Sequence, residues 1–165
     1  MLDARGNIGE IAFTLGSSLL TGRCALNTRQ LLLVNLLTDM LPAMAVAARP
    51  PAAASPEKLL QEGPEASLGA SLTRDIQLRA VTTASAAGAA WAIGRMTGTR
   101  GRADTMGLVA LVATQLLQTL VLGSRDRMVV LASLVSLAVL GLTVSVPGLC
   151  RFFGCRVLGP TGWII

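Results

Sequence analysis

Oxygen-bearing side chains stand inside the apolar runs of this chain, at spacings that would bring them together. Asn7 and Glu10 are three residues apart, and Asn35, Thr38 and Asp39 sit at i, i+3 and i+4. On an α-helix each set shares one face. An Asp at the centre of a membrane helix costs roughly 2.5–3.5 kcal/mol, so such a group is expected to face a bundle interior and a partner or ion. Pro42 has no N–H, so in an α-helix the carbonyl of Thr38 loses its donor. Carboxylates, amides, a hydroxyl and a freed carbonyl together form an oxygen-rich donor set, which suits a hard cation such as Ca²⁺ or Mg²⁺. The competing reading is a polar clamp between helices that transports nothing.

These residues need helices in an apolar setting, and the composition provides one. Of the 165 residues, 52% are hydrophobic, 3% aromatic and 14% charged, with no His. Soluble domains carry about a quarter charged residues, so the balance indicates a membrane protein. The net charge of +5 comes almost wholly from Arg. Those arginines sit at the ends of apolar runs, as in membrane proteins, without the reader motif or interleaved aromatics of a nucleic-acid partner. The opening "MLDARGN" has mixed charge and no cleavage site, so no signal peptide is expected.

A bilayer crossing takes about 20 mostly apolar residues. The runs predict an all-α, multi-pass bundle with full spans near 28–48, 76–96, 105–123 and 127–146 and half-spans at 7–21 and 158–165. Both ends therefore read as cut. Residues 50–74, rich in Pro, Ala, Ser and Glu, form a connector, with a short helical turn expected at Glu57 to Gln61. Ala84, Gly88 and Ala92 make a stripe of small residues suited to close helix packing. Lys and Arg residues divide almost evenly between the two sides, so charge bias does not set the orientation. Cys24, Cys150 and Cys155 lack metal-ligand spacing. Three free thiols are the simple reading; a Cys150–Cys155 disulfide in one exposed loop is the alternative.

The stretch "GNIGEIAFTL…LNTRQLLLVNLLTDMLPAMAVAARPP" resembles the carboxy-terminal membrane region of type II, calcium-pump-like P-type cation-transporting ATPases. That family has "NxGE" in its fifth membrane helix and "QLLxVNLxTDxLPAxALxxxPP" in its sixth. "DTMGLVALVATQLLQTLVLGSRDR" is similar to the eighth helix, and "VSVPGLCRFFGCRVLGPTGWII" to the loop before the tenth and its start. The resemblance covers essentially the whole chain and is most specific in the sixth-helix motif.

The resemblance implies that the family's ion-coordinating residues fall on Asn7, Glu10, Asn35, Thr38 and Asp39. The eighth-helix carboxylate of two-site calcium pumps falls on Gln115, an amide, which leaves the number and identity of the ions open. Met40 stands where those pumps usually carry Gly. The resemblance further implies a cytoplasmic connector, Cys-bearing segments on the outer side, a location in the cell membrane and a transported cation, Ca²⁺ or another divalent. The phosphorylation motif "DKTGT" is missing from these residues. Mg-ATP would therefore be used only by a complete pump, with the upstream half and the lipid bilayer as partners. By itself the chain should not hydrolyse ATP. It reads as a pump fragment contributing part of the intramembrane cation site. The alternative is a non-transporting structural segment or remnant of a split or truncated gene. An independent small channel is disfavoured, because two half-helices would leave unsupported ends.

Overall fold

The structure is a computed structural model that describes residues 4–47, 70–122, 126–156 and 158. Among these, every regular element is helical. Helix α1 (Ala4–Thr21) ends where Gly22 adopts φ +70°, its N–H donating to Ser18 O at 2.7 Å. Glycine takes that left-handed conformation without a Cβ penalty, which makes it a natural helix stop. Helix α2 (Thr28–Asn35) starts from a capping box: Asn27 Oδ1 accepts from the Gln30 N–H, and Gln30 Oε1 accepts from the Asn27 N–H, each at 2.9 Å. A π-helical turn, Leu36–Met40, joins α2 to α3 (Leu41–Ala47) without a break in the rod.

Helix α4 (Ala70–Thr97) turns at Gly98 and Thr99 into α5 (Arg100–Leu122). Asp126 caps α6 (Arg127–Ser145), its side chain accepting from the Met128 N–H at 3.0 Å. The short α7 (Pro147–Phe152) starts with Pro at its first position, where a missing N–H costs nothing.

Helix α5 is the central element. It packs on α4, α6, α1, α2 and the π turn, and it buries Leu108, Leu111, Val112 and Leu116 completely. Helix α1 covers α4 on one flank, while α6 runs along the π turn and α3 on the other. The radial pattern is inverted relative to a water-soluble bundle. Helix α6 turns Leu131, Leu134, Val135 and Leu142 outward and keeps Ser133, Ser136 and Thr143 inside. Leu19 is 87% exposed.

The helices follow the sequence pattern, but α4 begins at Ala70 rather than near 76, and the rod 28–47 is split by its π turn. Among the described residues two helices are long and apolar enough to cross a membrane, 100–121 and 127–145, with a shorter apolar helix at Ile8–Thr21. That count is lower than the four full spans expected. Helix α4 is built mainly of Ala, Gly, Ser and Thr, and the rod carries Asn, Thr and Asp in its middle. Both features lower apolarity without shortening the helix. The connector over 50–69, the turn at Glu57 to Gln61 and the run 159–165 lie outside the described residues.

The small-residue stripe on α4 does not pack as expected: a Cβ on Gly88 would meet nothing within 4 Å. Close approach occurs on the adjacent stripe through Ala80, Thr83, Ala87, Trp91 and Gly94. A Cβ on Gly94 would lie 2.7 Å from Ala103 Cα on α5. Side-chain size by itself does not say which stripe faces a neighbour; the larger Thr83 and Trp91 lie on the buried one.

Candidate cation site

Glu10 lies on the inward face of α1, 5% exposed, and meets Gln115 from α5. Gln115 Nε2 donates to Glu10 Oε1 at 3.3 Å in a buried setting. Asp39, half-exposed on the π turn, is near enough to act on the charge of Glu10. Glu10 and Gln115 thus meet directly from two helices, with Asp39 of a third segment within charge range of Glu10. Thr38, next to Asp39 in the turn, is buried, and its hydroxyl donates to Val34 O at 2.9 Å within its own rod. Its oxygen keeps lone-pair capacity toward a second donor or a cation.

Asn35 does not join this group. It is exposed, although α-helical spacing puts it on the face of Asp39. Between the two the π turn closes i→i+5 hydrogen bonds, which takes more residues per turn and shifts the alignment of i and i+4 positions across it. Asn7 lies on α1, and its side chain is outside the described residues.

The backbone also departs from the expectation built on Pro42. In the π turn the Leu41 N–H donates to Leu36 O. The carbonyl one residue later, on Leu37, would look to the N–H of Leu41, already engaged, or of Pro42, which has none. Ser136 from α6 supplies the donor, its Oγ donating to Leu37 O at 2.9 Å. Sequence reading focused on Thr38 O and passed over Ser136. The available signal was Ser133 and Ser136, hydroxyls three residues apart in the most apolar run of the chain.

Among the described residues no three acidic, Cys or His side chains cluster to hold a metal. The donor set is two carboxylates with amide and hydroxyl oxygens, which suits a hard cation rather than a soft one.

The three cysteines are free: Cys24 is exposed, and Cys150 and Cys155 are buried. The disulfide alternative is therefore not realised; the segment is largely exposed, as expected, but its two cysteines point inward. Burial pushes both of those thiols above the ordinary cysteine range. All three lie at the end of the bundle where α1 passes to α2, with Ser18 Oγ donating to Cys24 Sγ and Gln30 Nε2 to Cys155 Sγ.

Residues 23–165 match the family described as "Cation transporting ATPase, C-terminus". Helix α1, with Glu10, precedes the matched stretch. The chain is similar to the "Probable cation-transporting ATPase I" of Mycobacterium leprae (strain TN), 44% identical over 96% of this chain and 11% of that protein. It is also similar to the proteins of that name from Mycobacterium tuberculosis. The one from strain CDC 1551 / Oshkosh is 48% identical over 96% of the chain. The one from strain ATCC 25618 / H37Rv is 46% identical over 90%. The chain spans 10–11% of the length of these relatives. No solved structure matches it.

Proposed function

We propose, from the premise that the chain belongs to the cation-transporting ATPase family as its C-terminal region, that it supplies part of the intramembrane cation site of an ATP-driven pump. The single observation that carries this reading is the buried Glu10–Gln115 pair with the half-exposed Asp39 of the π turn within charge range of Glu10. Two carboxylates near each other in a low-dielectric interior repel unless a cation or proton lies between them. Asn35, on the exposed face of the same rod, completes the site when the rest of the pump covers that face. The subgroup is calcium-pump-like on the strength of "VNLLTD" with "LPA".

A multi-pass arrangement in the cell membrane, with four full crossings, is supported by the inverted packing of leucines outside and hydroxyls inside. In this reading α2 to α3 and α4 cross by length, their polar residues turned toward protein. The connector of residues 50–74 lies on the cytoplasmic side, where the phosphorylation and nucleotide-binding parts of the pump act. A membrane-impermeant thiol reagent tests the layout: a probe Cys at Val135, mid-way along α6, is expected to resist labelling.

The functional test is made in a full-length pump carrying this segment. Asp39→Asn keeps the shape and removes charge that a hard cation needs. It is expected to abolish cation-stimulated ATP hydrolysis, and Glu10→Gln to weaken it. The polar-clamp reading draws on the Glu10–Gln115 hydrogen bond, which needs no ion. Unchanged cation affinity and turnover in Asp39→Asn would establish that reading instead.

A further inference from the structure

We infer that Ser136 is a positioning residue for the proposed cation site: its hydroxyl takes the backbone acceptor left over by the π turn and Pro42, and so sets the turn that carries Thr38 and Asp39. The inference rests on the reading of Asp39 as part of that site.

The observations are local. Ser136 and Leu37 are both fully buried, and the bond between them joins residues 99 apart in sequence. A buried carbonyl in an apolar interior needs a donor. Leu37 O has none along its own rod, because the Leu41 N–H serves Leu36 O and Pro42 has no N–H. The serine hydroxyl is therefore the tie between α6 and the π turn. Single π turns inside α-helices recur at functional sites; here the next two residues after the tied carbonyl are Thr38 and Asp39. A shift of the turn would move the Asp39 carboxylate relative to Glu10 and Gln115, which sit on other helices. Ser133, three residues earlier on α6, is equally buried, and its Oγ has no hydrogen-bond partner among the described residues. It serves as an internal control.

The first arm uses the chain in lipid nanodiscs and measures its folding equilibrium. Ser136→Ala should lower the folding constant roughly tenfold, the consequence of orphaning a buried acceptor. Ser136→Thr, which keeps the hydroxyl, should restore most of it. Ser133→Ala should change it by less than about twofold, since no protein hydrogen bond is lost. Pro42→Ala supplies an N–H in reach of Leu37 O, so in that background Ser136→Ala should cost only about twofold. If Ser136→Ala fails to fold, folding of the double variant is itself the expected rescue. Lack of rescue by Pro42→Ala overturns the inference whatever the site does.

The second arm uses the full-length pump and Ca²⁺, Mn²⁺ and Mg²⁺ as probes. Ser136→Ala should raise the half-saturating concentration of the stimulating cation several-fold while leaving maximal turnover near the parent value, with Ser136→Thr restoring it. An unchanged cation dependence in Ser136→Ala, alongside a lost one in Asp39→Asn, overturns the positioning role and leaves the proposed site standing. An unchanged dependence in Asp39→Asn overturns the site and the positioning role with it.

Discussion

At the end of the bundle where α2 begins, polar groups find their partners inside the chain; in the middle, where Asp39 lies, the polar face stays partly open. The end is cross-linked several times. Asn27 Nδ2 donates to Phe153 O at 3.0 Å, and Arg29 donates to Phe152 O at 2.8 Å while lying over its ring. The Arg156 N–H donates to Thr105 Oγ1 at 2.9 Å, and Trp91 Nε1 donates to Asp104 at 3.0 Å. In the middle, Gln115 donates to Glu10 over a longer 3.3 Å, and Asn35 is exposed. The end therefore acts as a closed clasp on α2, α5 and α7. A fully satisfied network makes a structure rigid.

The largest expected effect tests the clasp. Gly94→Leu puts a side chain against the Ala103 backbone, where even a Cβ sits at 2.7 Å. Backbone cannot give way as a flexible side chain does. The cost should be about 3 kcal/mol or more, read as a lowered unfolding midpoint in nanodiscs. A stable, native-like Gly94→Leu would mean that α4 and α5 do not meet there.

Next comes Gln115→Glu in the open middle. It replaces an amide donor to Glu10 with a second acid, at a cost of about 2 kcal/mol without divalent cation. Added Ca²⁺ should recover that loss if the middle accepts a cation, and leave it unchanged if the middle is only a clamp. The measurement is the unfolding midpoint against Ca²⁺ concentration.

Asn27→Ala removes the cap of α2 and the bond to Phe153 O, and should cost about 1–2 kcal/mol. If the clasp is cooperative, this variant should also speed amide exchange around Gly154, whose φ of +70° places it against Asn27. Thiol accessibility sharpens the same region at lower cost. Cys24 should react with a small maleimide at least about tenfold faster than Cys150 or Cys155, because burial disfavours both access and the thiolate. The smallest effect belongs to Gly88→Ala. With nothing within 4 Å, it should be neutral or gain up to about 1 kcal/mol from helix propensity.

Much of this was legible in the chain order of residues. Helix positions follow from apolar runs, Gly22 and Asn27 mark a stop and a start, and Asn27 with Gln30 is a capping signature; each is a local property, within about four residues. The candidate site was legible in part. Glu10, Thr38 and Asp39 stand out as polar groups inside apolar runs, whereas Gln115 is marked only by the family resemblance. Asn35 stands out as those three do, but it lies on the exposed side of the rod, and the segment between it and Asp39 is π-helical rather than α-helical.

By itself, then, the sequence determined the helical class, the order and approximate extent of the helices, and the polar groups that need partners. Those follow from short-range sterics, capping and hydropathy, which act along one chain segment. Tertiary structure decided which stripe of α4 faces α5, that Glu10 meets Gln115 across 105 residues, and that Ser136 answers the carbonyl of Leu37. Pro42 guarantees that an acceptor somewhere near it will lack a helical donor. Which carbonyl that is depends on whether the rod closes α or π turns there, and the hydroxyl that α6 brings alongside is what completes the π arrangement.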